Sequence, residues 1–378
     1  MKNIIKFIFY SFFYYFFRIF PIKKNKIFFQ NFNGKGYGDN PKYIAQEILR
    51  RNLDFELVWA AIPEYYKNIP EMIKIVPYRS IRAVYEEATS GIWIDNCRKQ
   101  LYVKKRKKQY YIQTWHGTVN LKRIEKDVEF NLSGYYIKQA KHDSFLADLF
   151  ISECNFTSKL YKSSFWYNGE ILECGSPKED LLINNINLKN KVLDYYNIKN
   201  NYKIILYAPT FRDNFSIDVY DINYEQILNY LQEETKTPWI FLVRLHPNIT
   251  KKSDSIKYTE NIINACHYDD MQELMLASDI LISDYSDCMF EFALMKKPVF
   301  LYIKDYNEYK VERDFYFDLY SLPFPNAANN DELLLKMKEF NNTLYLNSLD
   351  VFYNKTGFIK DGRASEKVVD KIVNVIYQ

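Results

Sequence analysis

Two α/β domains, each built on a mainly parallel sheet, are what the sequence predicts, and three observations carry that prediction. The chain has 378 residues, enough for two ordinary domains with substantial cores. Short apolar runs alternate with helix-like segments, the rhythm of βαβ units. Polar residues suited to phosphate chemistry stand at the ends of successive apolar runs, where a doubly wound sheet keeps its ligand side.

Composition narrows the class. Apolar and aromatic residues make up 48% and charged residues 26%, the balance of a globular protein. The aromatic share is 18% and coincides with abundant Asn, Lys and Ile, which reads as coding bias. Aromatic residues interleaved with basic ones therefore do not argue for nucleic acid. A net charge of +4 gives no polyanion partner either. Five cysteines, Cys97, Cys154, Cys174, Cys266 and Cys288, are odd in number and lack metal-ligand spacing. A reducing, cytosolic compartment and no protein-held metal are expected.

Residues 1–25 need a separate reading. Ile4 to Phe20 is almost wholly apolar and aromatic, broken by Lys6, Ser11 and Arg18 and flanked by lysines. It is short for a spanning helix, which takes about 20 apolar residues, and it lacks a small-residue cleavage site. Two readings stand: a first buried helix, or an interfacial helix with Phe and Tyr at headgroup depth.

The first domain is expected over residues 26–183. Lys26 to Gln30 reads as a strand, followed by a loop with Gly34, Gly36 and Gly38 that lacks dinucleotide fingerprint spacing. A helix is predicted from Asp39 through Arg50, with Pro41 near its start. Phe55 to Trp59, Gly91 to Asp95 and Tyr110 to Ile112 are further strands, with a helix from Ser80 to Thr89. The last of these strands runs into Gln113-Thr114-Trp115-His116-Gly117-Thr118, with a helix-like basic segment, Leu121 to Ile124, beyond it. Leu149 to Ser152 and Ile171 to Cys174 close the domain. Lys104 to Lys108 is a solvated connector or a patch attracted to anionic lipid.

Asn184 to Asn201 is polar and Asn-rich and reads as a linker, so the second domain is expected over residues 202–378. Tyr202 to Ala208 is a strand ending in Pro209-Thr210-Phe211-Arg212. Trp239 to Val243 ends in Arg244-Leu245-His246-Pro247. Ile280 to Ile282 ends in Ser283-Asp284-Tyr285-Ser286, with a helix from Asp287 through Met295. Lys297 to Leu301 opens another strand.

These strand ends carry the candidate chemistry. His116 is either a turn residue or a general base, and Thr118 can cap a helix or touch a phosphate. Arg244 offers a fork for phosphate, and His246 can donate to a phosphate oxygen or protonate a leaving group. Thr210 and Arg212 repeat the pairing of hydroxyl and cation. Ser286 adds a hydroxyl at a helix start, and Glu291 can accept from ribose hydroxyls. His142 and His267 are read as structural.

In order along the chain, Trp115 to Thr118, Ala208 to Arg212, Arg244 to Pro247, and Ser283 to Ser286 with Glu291 resemble the CDP-glycerol glycerophosphotransferases. That family builds teichoic acids and related polymers. The resemblance runs from Phe32 to beyond Pro298. It implies a GT-B fold, two Rossmann-like domains with parallel sheets facing a cleft, with the last helix, near Ala364 to Tyr377, returning to the first domain. It also implies acceptor-side roles for His116, Gly117 and Thr118, with His116 and His246 catalytic. Donor binding falls to Lys178, Pro209, Thr210, Arg212, Arg244, Leu245, Tyr285, Ser286 and Glu291.

The implied reaction moves glycerol phosphate from CDP-glycerol to a hydroxyl of a lipid-linked saccharide or growing chain, releasing CMP. The implied setting is the cytoplasmic face of the membrane. Magnesium is expected only as an ion carried by the diphosphate, and assembly of like chains is compatible with the reading. The family usually has Arg where Lys178 stands and often a second Ser where Asp287 stands. It continues Pro-Leu-Lys after Thr118, where this chain inserts Val119-Asn120. These departures bear on the polyol, so CDP-ribitol or another CDP-polyol is the alternative donor. The shorter chain points toward a primase-like enzyme. A GT-B glycosyltransferase, a nucleotide-sugar epimerase and a non-catalytic scaffold are the rival classes.

Overall fold

The computed structural model describes residues 2–212, 218–246 and 249–377, so Pro247 of the third motif lies outside the described residues. The chain divides into two compact units. The first comprises Met1–Gly117, Ile124–Asp180 and Phe358–Gln378; the second comprises Thr118–Arg123 and Leu181–Gly357.

The first unit holds seven parallel strands among the described residues. They are β1 (Lys23–Gln30), β2 (Glu56–Ala61), β3 (Lys74–Pro77), β4 (Ser90–Asp95), β5 (Tyr110–Gln113), β6 (Leu149–Ser152) and β7 (Glu170–Glu173), in the order β3-β2-β1-β4-β5-β6-β7. The order reverses between β1 and β4, the switch point at which such sheets place ligands. β4 is buried along its whole length and β1 from Lys26 to Gln30, as in a sheet covered on both faces. Ile27, Phe29, Trp59, Ile92, Ile94, Ile112, Leu149 and Ile151 form one core with the last helix, Ala364–Tyr377, through Val368, Val369 and Ile372. The Asp180 carboxylate caps that helix, accepting from the amides of Ala364 and Ser365 at 2.8 and 2.7 Å.

The second unit repeats the plan with six parallel strands among the described residues. They are β8 (Lys203–Tyr207), β9 (Trp239–Val243), β10 (Ile262–Asn264), β11 (Ile280–Ser283), β12 (Val299–Tyr302) and β13 (Asn326–Ala327), ordered β10-β9-β8-β11-β12-β13. Its core gathers Ile205, Tyr207, Phe241, Val243, Ile282 and Phe300. The switch point lies between β8 and β11.

Several local expectations change. Residues 184–201 are no mere linker: Lys189–Tyr196 is a helix in the second unit, with Val192 and Leu193 buried. Lys189 pairs with Asp279 at 3.3 Å and Lys191 with Glu273 at 2.7 Å. Leu121 to Ile124 is not helical. Lys122 instead forms an antiparallel bridge with Phe315, and Arg123 pairs with Asp314 at 2.9 Å. The helix after β11 is short, Cys288–Ala293, and Asp287 makes no side-chain cap. The glycine loop has a packing cause at Gly34, whose φ is +86°; a Cβ there would meet the Tyr78 ring at 2.5 Å.

The N-terminal run forms the helix Lys2–Phe16, continued by a 3-10 turn, Phe17–Ile19. Tyr14 and Phe17 are buried, with the Tyr14 hydroxyl on Glu87. Ile8, Phe12 and Ile19 remain 61%, 60% and 70% exposed. One face of the helix therefore packs on the first unit while another stays exposed. Lys104 lies 5.5 Å from the Phe7 ring, Arg106 donates to the Phe20 carbonyl at 2.8 Å, and Lys105 pairs with Asp148.

Candidate functional site

In the first unit the site is built on the loops after β1, β4 and β5. β5 pairs with β4 so that Asp95 stands beside Gln113. The Thr114 amide then donates to the Asp95 carbonyl at 2.9 Å, which carries the register into the turn. Beneath the turn, Lys99 is buried between Asp95 and Glu87 at 2.9 and 2.7 Å. Burial raises the Asp95 carboxyl to about 6 despite the nearby ammonium. Trp115 adopts a left-handed φ of 51°, its amide held by the Gln113 side chain at 2.9 Å. Such a backbone persists only where surrounding groups impose it.

His116 is half-buried, stacked on Trp115 and edge-on to Phe32. Its Nδ1 lies 2.8 Å from the Asn96 carbonyl. A carbonyl can only accept, so Nδ1 carries a proton, and in a neutral ring Nε2 would be the nitrogen without one. Asn96 is fully buried, its side chain accepting from the Phe32 amide and donating to Asn31 and Asp39. That is the tautomer a general base needs.

Lys178 was expected to hold the donor. It is 2% exposed, and its ammonium donates to the His116 carbonyl at 2.8 Å and lies 3.4 Å from Asp39. It supports the histidine turn rather than presenting a charge to solvent.

The second unit receives the chain directly after Gly117. Thr118 is buried and donates to Glu291 at 3.1 Å, while Gln272 donates to the other Glu291 oxygen at 2.8 Å. The Asp287 carboxylate accepts from the Leu121 amide at 2.9 Å. The departure at Asp287 is thereby explained: its charge is turned onto the 118–121 backbone. Val119 and Asn120 both take left-handed φ, 61° and 54°. For a β-branched residue this is an outlier, costing about 1–3 kcal/mol. The proline usual in the family could not adopt it, since its ring fixes φ near −65°.

At the β8 and β11 ends the candidate residues separate by burial. Arg212 is 5% exposed and clamped by Asp284 at 2.9 Å and Asp305 at 2.5 Å. The two carboxylates hold its pKa above the usual guanidinium value despite burial. Tyr285 is buried, its hydroxyl on Asp305 and its ring 4.0 Å from Tyr309. Leu245 is core. Arg212, Tyr285 and Leu245 are thus buried, with the polar groups of Arg212 and Tyr285 turned onto Asp284 and Asp305. The Ser283 hydroxyl ties β11 to the Ala208 carbonyl at 2.7 Å. Pro209 and Thr210 end β8 in buried positions, and the Thr210 hydroxyl has no hydrogen-bond partner among the described residues. Ser286 keeps a hydroxyl 3.4 Å from the Cys288 amide.

Arg244 behaves differently from Arg212. Its Nη1 donates to the carbonyls of Ala265, at 3.2 Å, and Tyr268. Burial pulls its pKa down, opposed through space by Asp270 and Asp269. A partly buried cation whose hydrogen bonds go to carbonyls can still take an anion. The His246 ring packs 4.6 Å from Phe211. Among the described residues no group of three or more His, Cys, Asp and Glu side chains is arranged for a metal. Sequence reading missed Asn96 and Asn40, whose only signal was a place beside a strand end or helix start.

A family model described as CDP-glycerol:poly(glycerophosphate) glycerophosphotransferase matches residues 12–374. The chain is 30% identical over 366 residues to a teichoic acid poly(glycerol phosphate) polymerase of Staphylococcus epidermidis, covering 93% of this chain and 51% of that one. It thus spans about half the length of that polymerase. It is 30% identical over 370 residues to a teichoic acid glycerol-phosphate transferase of Staphylococcus aureus, covering 92% and 93% of the two chains. The structure resembles the wall teichoic acid polymerase TagF in a histidine-to-asparagine variant soaked with CDPG. The TM-score is 0.85 at 28% identity, over 97% of this chain and 94% of that one. With the match running through both units and every motif, the chain belongs to the CDP-glycerol:poly(glycerophosphate) glycerophosphotransferase family.

Proposed function

We propose that the protein transfers glycerol phosphate from CDP-glycerol to a hydroxyl of a lipid-linked saccharide or a growing glycerol-phosphate chain, at the cytoplasmic face of the membrane. The observation that carries this reading is the family match over residues 12–374, joined to a histidine whose tautomer is imposed at a strand end. His116 Nε2 takes the acceptor's proton as its oxygen attacks the phosphorus bearing glycerol. The bond from that phosphorus to the bridging oxygen breaks, and CMP leaves with its charge met by Arg244 and His246. Thr210 and Ser286 supply hydroxyl donors at the β8 and β11 ends. Any magnesium arrives on the diphosphate. The experiment is product analysis with CDP-glycerol, CDP-ribitol and UDP-sugars against lipid-linked acceptors. CMP and a glycerol phosphodiester are expected. Release of UDP from a sugar nucleotide, or no turnover of any CDP-polyol, would reject the reading.

The N-terminal helix is the proposed membrane contact. No described helix is long and apolar enough to cross a membrane. Its exposed Ile8 and Phe12 lie on the helix that Lys104 and Arg106 flank, suited to an anionic interface. Fully burying two such side chains is worth about 3–6 kcal/mol. Ile8→Ser with Phe12→Ser is therefore expected to lower partitioning onto anionic vesicles about a hundredfold or more. Sedimentation that leaves the double variant bound like the parent would exclude this contact.

A further inference from the structure

We infer that Lys178 and Asn40 are positioning residues for His116, acting through the backbone of the turn that carries it. The inference rests on His116 being the base of the proposed transfer. Three consecutive carbonyls leave the end of β5, and each meets a side chain from elsewhere in the first unit. Asn40 Nδ2 donates to the carbonyls of Thr114, at 3.4 Å, and Trp115, at 3.3 Å. Lys178 Nζ donates to that of His116 at 2.8 Å. The two positioners are themselves joined, since Asn40 Oδ1 accepts from the Lys178 amide at 3.1 Å and the Ser176 hydroxyl at 2.8 Å. Asp39 lies 3.4 Å from the ammonium and accepts from Asn96, whose carbonyl fixes the His116 ring.

Backbone and ring of His116 are thus held by one connected set of buried polar groups. Asn40 and Lys178 are 3% and 2% exposed, which leaves neither free to follow a substrate. A left-handed Trp115 immediately before the histidine explains why so many groups are committed to the turn. Misplacing a base by about 1 Å costs on the order of a hundredfold in rate.

The test uses the full chain carrying Lys178→Met, Lys178→Arg or Asn40→Ala. Expected for Lys178→Met and Asn40→Ala is a fall in kcat of about tenfold to a hundredfold, with KM for CDP-glycerol within about twofold of the parent. Lys178→Arg, which keeps a donor and the Asp39 partner, should recover kcat to within about threefold. Nitrogen NMR of histidine-labelled protein reads the tautomer without turnover. The parent should show His116 protonated at Nδ1, and both disabling variants a mixed or shifted tautomer. Unchanged kcat, unchanged nitrogen shifts, or a loss confined to KM would overturn the inference. Asn40→Ala decides it should Lys178→Met fail to fold. If the parent turns over no CDP-polyol, the functional reading fails, and the nitrogen shifts alone decide the positioning.

Discussion

Replacing His116 with alanine is expected to lower CMP release about a hundredfold to ten-thousandfold, while CDP-glycerol binding measured by calorimetry changes by less than about threefold. The separation follows from where the groups sit. His116 stands after β5 in the first unit, whereas Arg244, His246 and Thr210 stand at strand ends of the second. Because Nδ1 is committed to the Asn96 carbonyl, the base of the proposed transfer is Nε2, and alanine removes it. The fold should tolerate the change. The ring stacks on Trp115 at 4.5 Å and meets Phe32 edge-on, contacts worth about 0.5–1.5 kcal/mol each. Thermal melting should therefore move little. A variant that retains parental kcat would reassign His116 to a structural turn.

The strands were legible because their signal is local. Apolar runs bounded by turn residues mark β1, β2, β4, β8, β9 and β11, and the Trp239 to Val243 expectation matches β9 residue for residue. What was not legible depends on partners far along the chain. Arg212 and Arg244 both follow a strand, so their sequence contexts look alike. Only the folded sheet brings Asp305, 93 positions away, onto Arg212. Tyr285 is hidden for the same reason, since its hydroxyl also finds Asp305. Asn40 and Asn96 were overlooked because asparagine is abundant in this chain and common in turns. The helix at Lys189–Tyr196 escaped notice because only Val192 and Leu193 mark its buried side.

Arg244 and Arg212 make the second large prediction, because the same substitution should have opposite consequences at the two positions. Arg244→Met is expected to reduce kcat/KM for CDP-glycerol about a hundredfold to a thousandfold, the range found when one charge stabiliser is removed. Its stability should change by no more than about 1 kcal/mol. No hydrogen-bonded carboxylate is stranded, since Asp270 and Asp269 act on Arg244 only through space, and the carbonyls of Ala265 and Tyr268 lose a single shared donor. Arg212→Met strands Asp284 and Asp305 in a buried site, a loss of about 3–5 kcal/mol. Thermal melts and CDP-glycerol kinetics of the two variants, run side by side, check both halves. An Arg244→Met protein that keeps its activity, or an Arg212→Met protein that melts like the parent, would reverse the assignment of anion-binding and structural cation. The physical ground for the contrast is burial with and without a hydrogen-bonded counter-charge. A guanidinium paired with two carboxylates is already neutralised, whereas one whose hydrogen bonds go to carbonyls still attracts an anion.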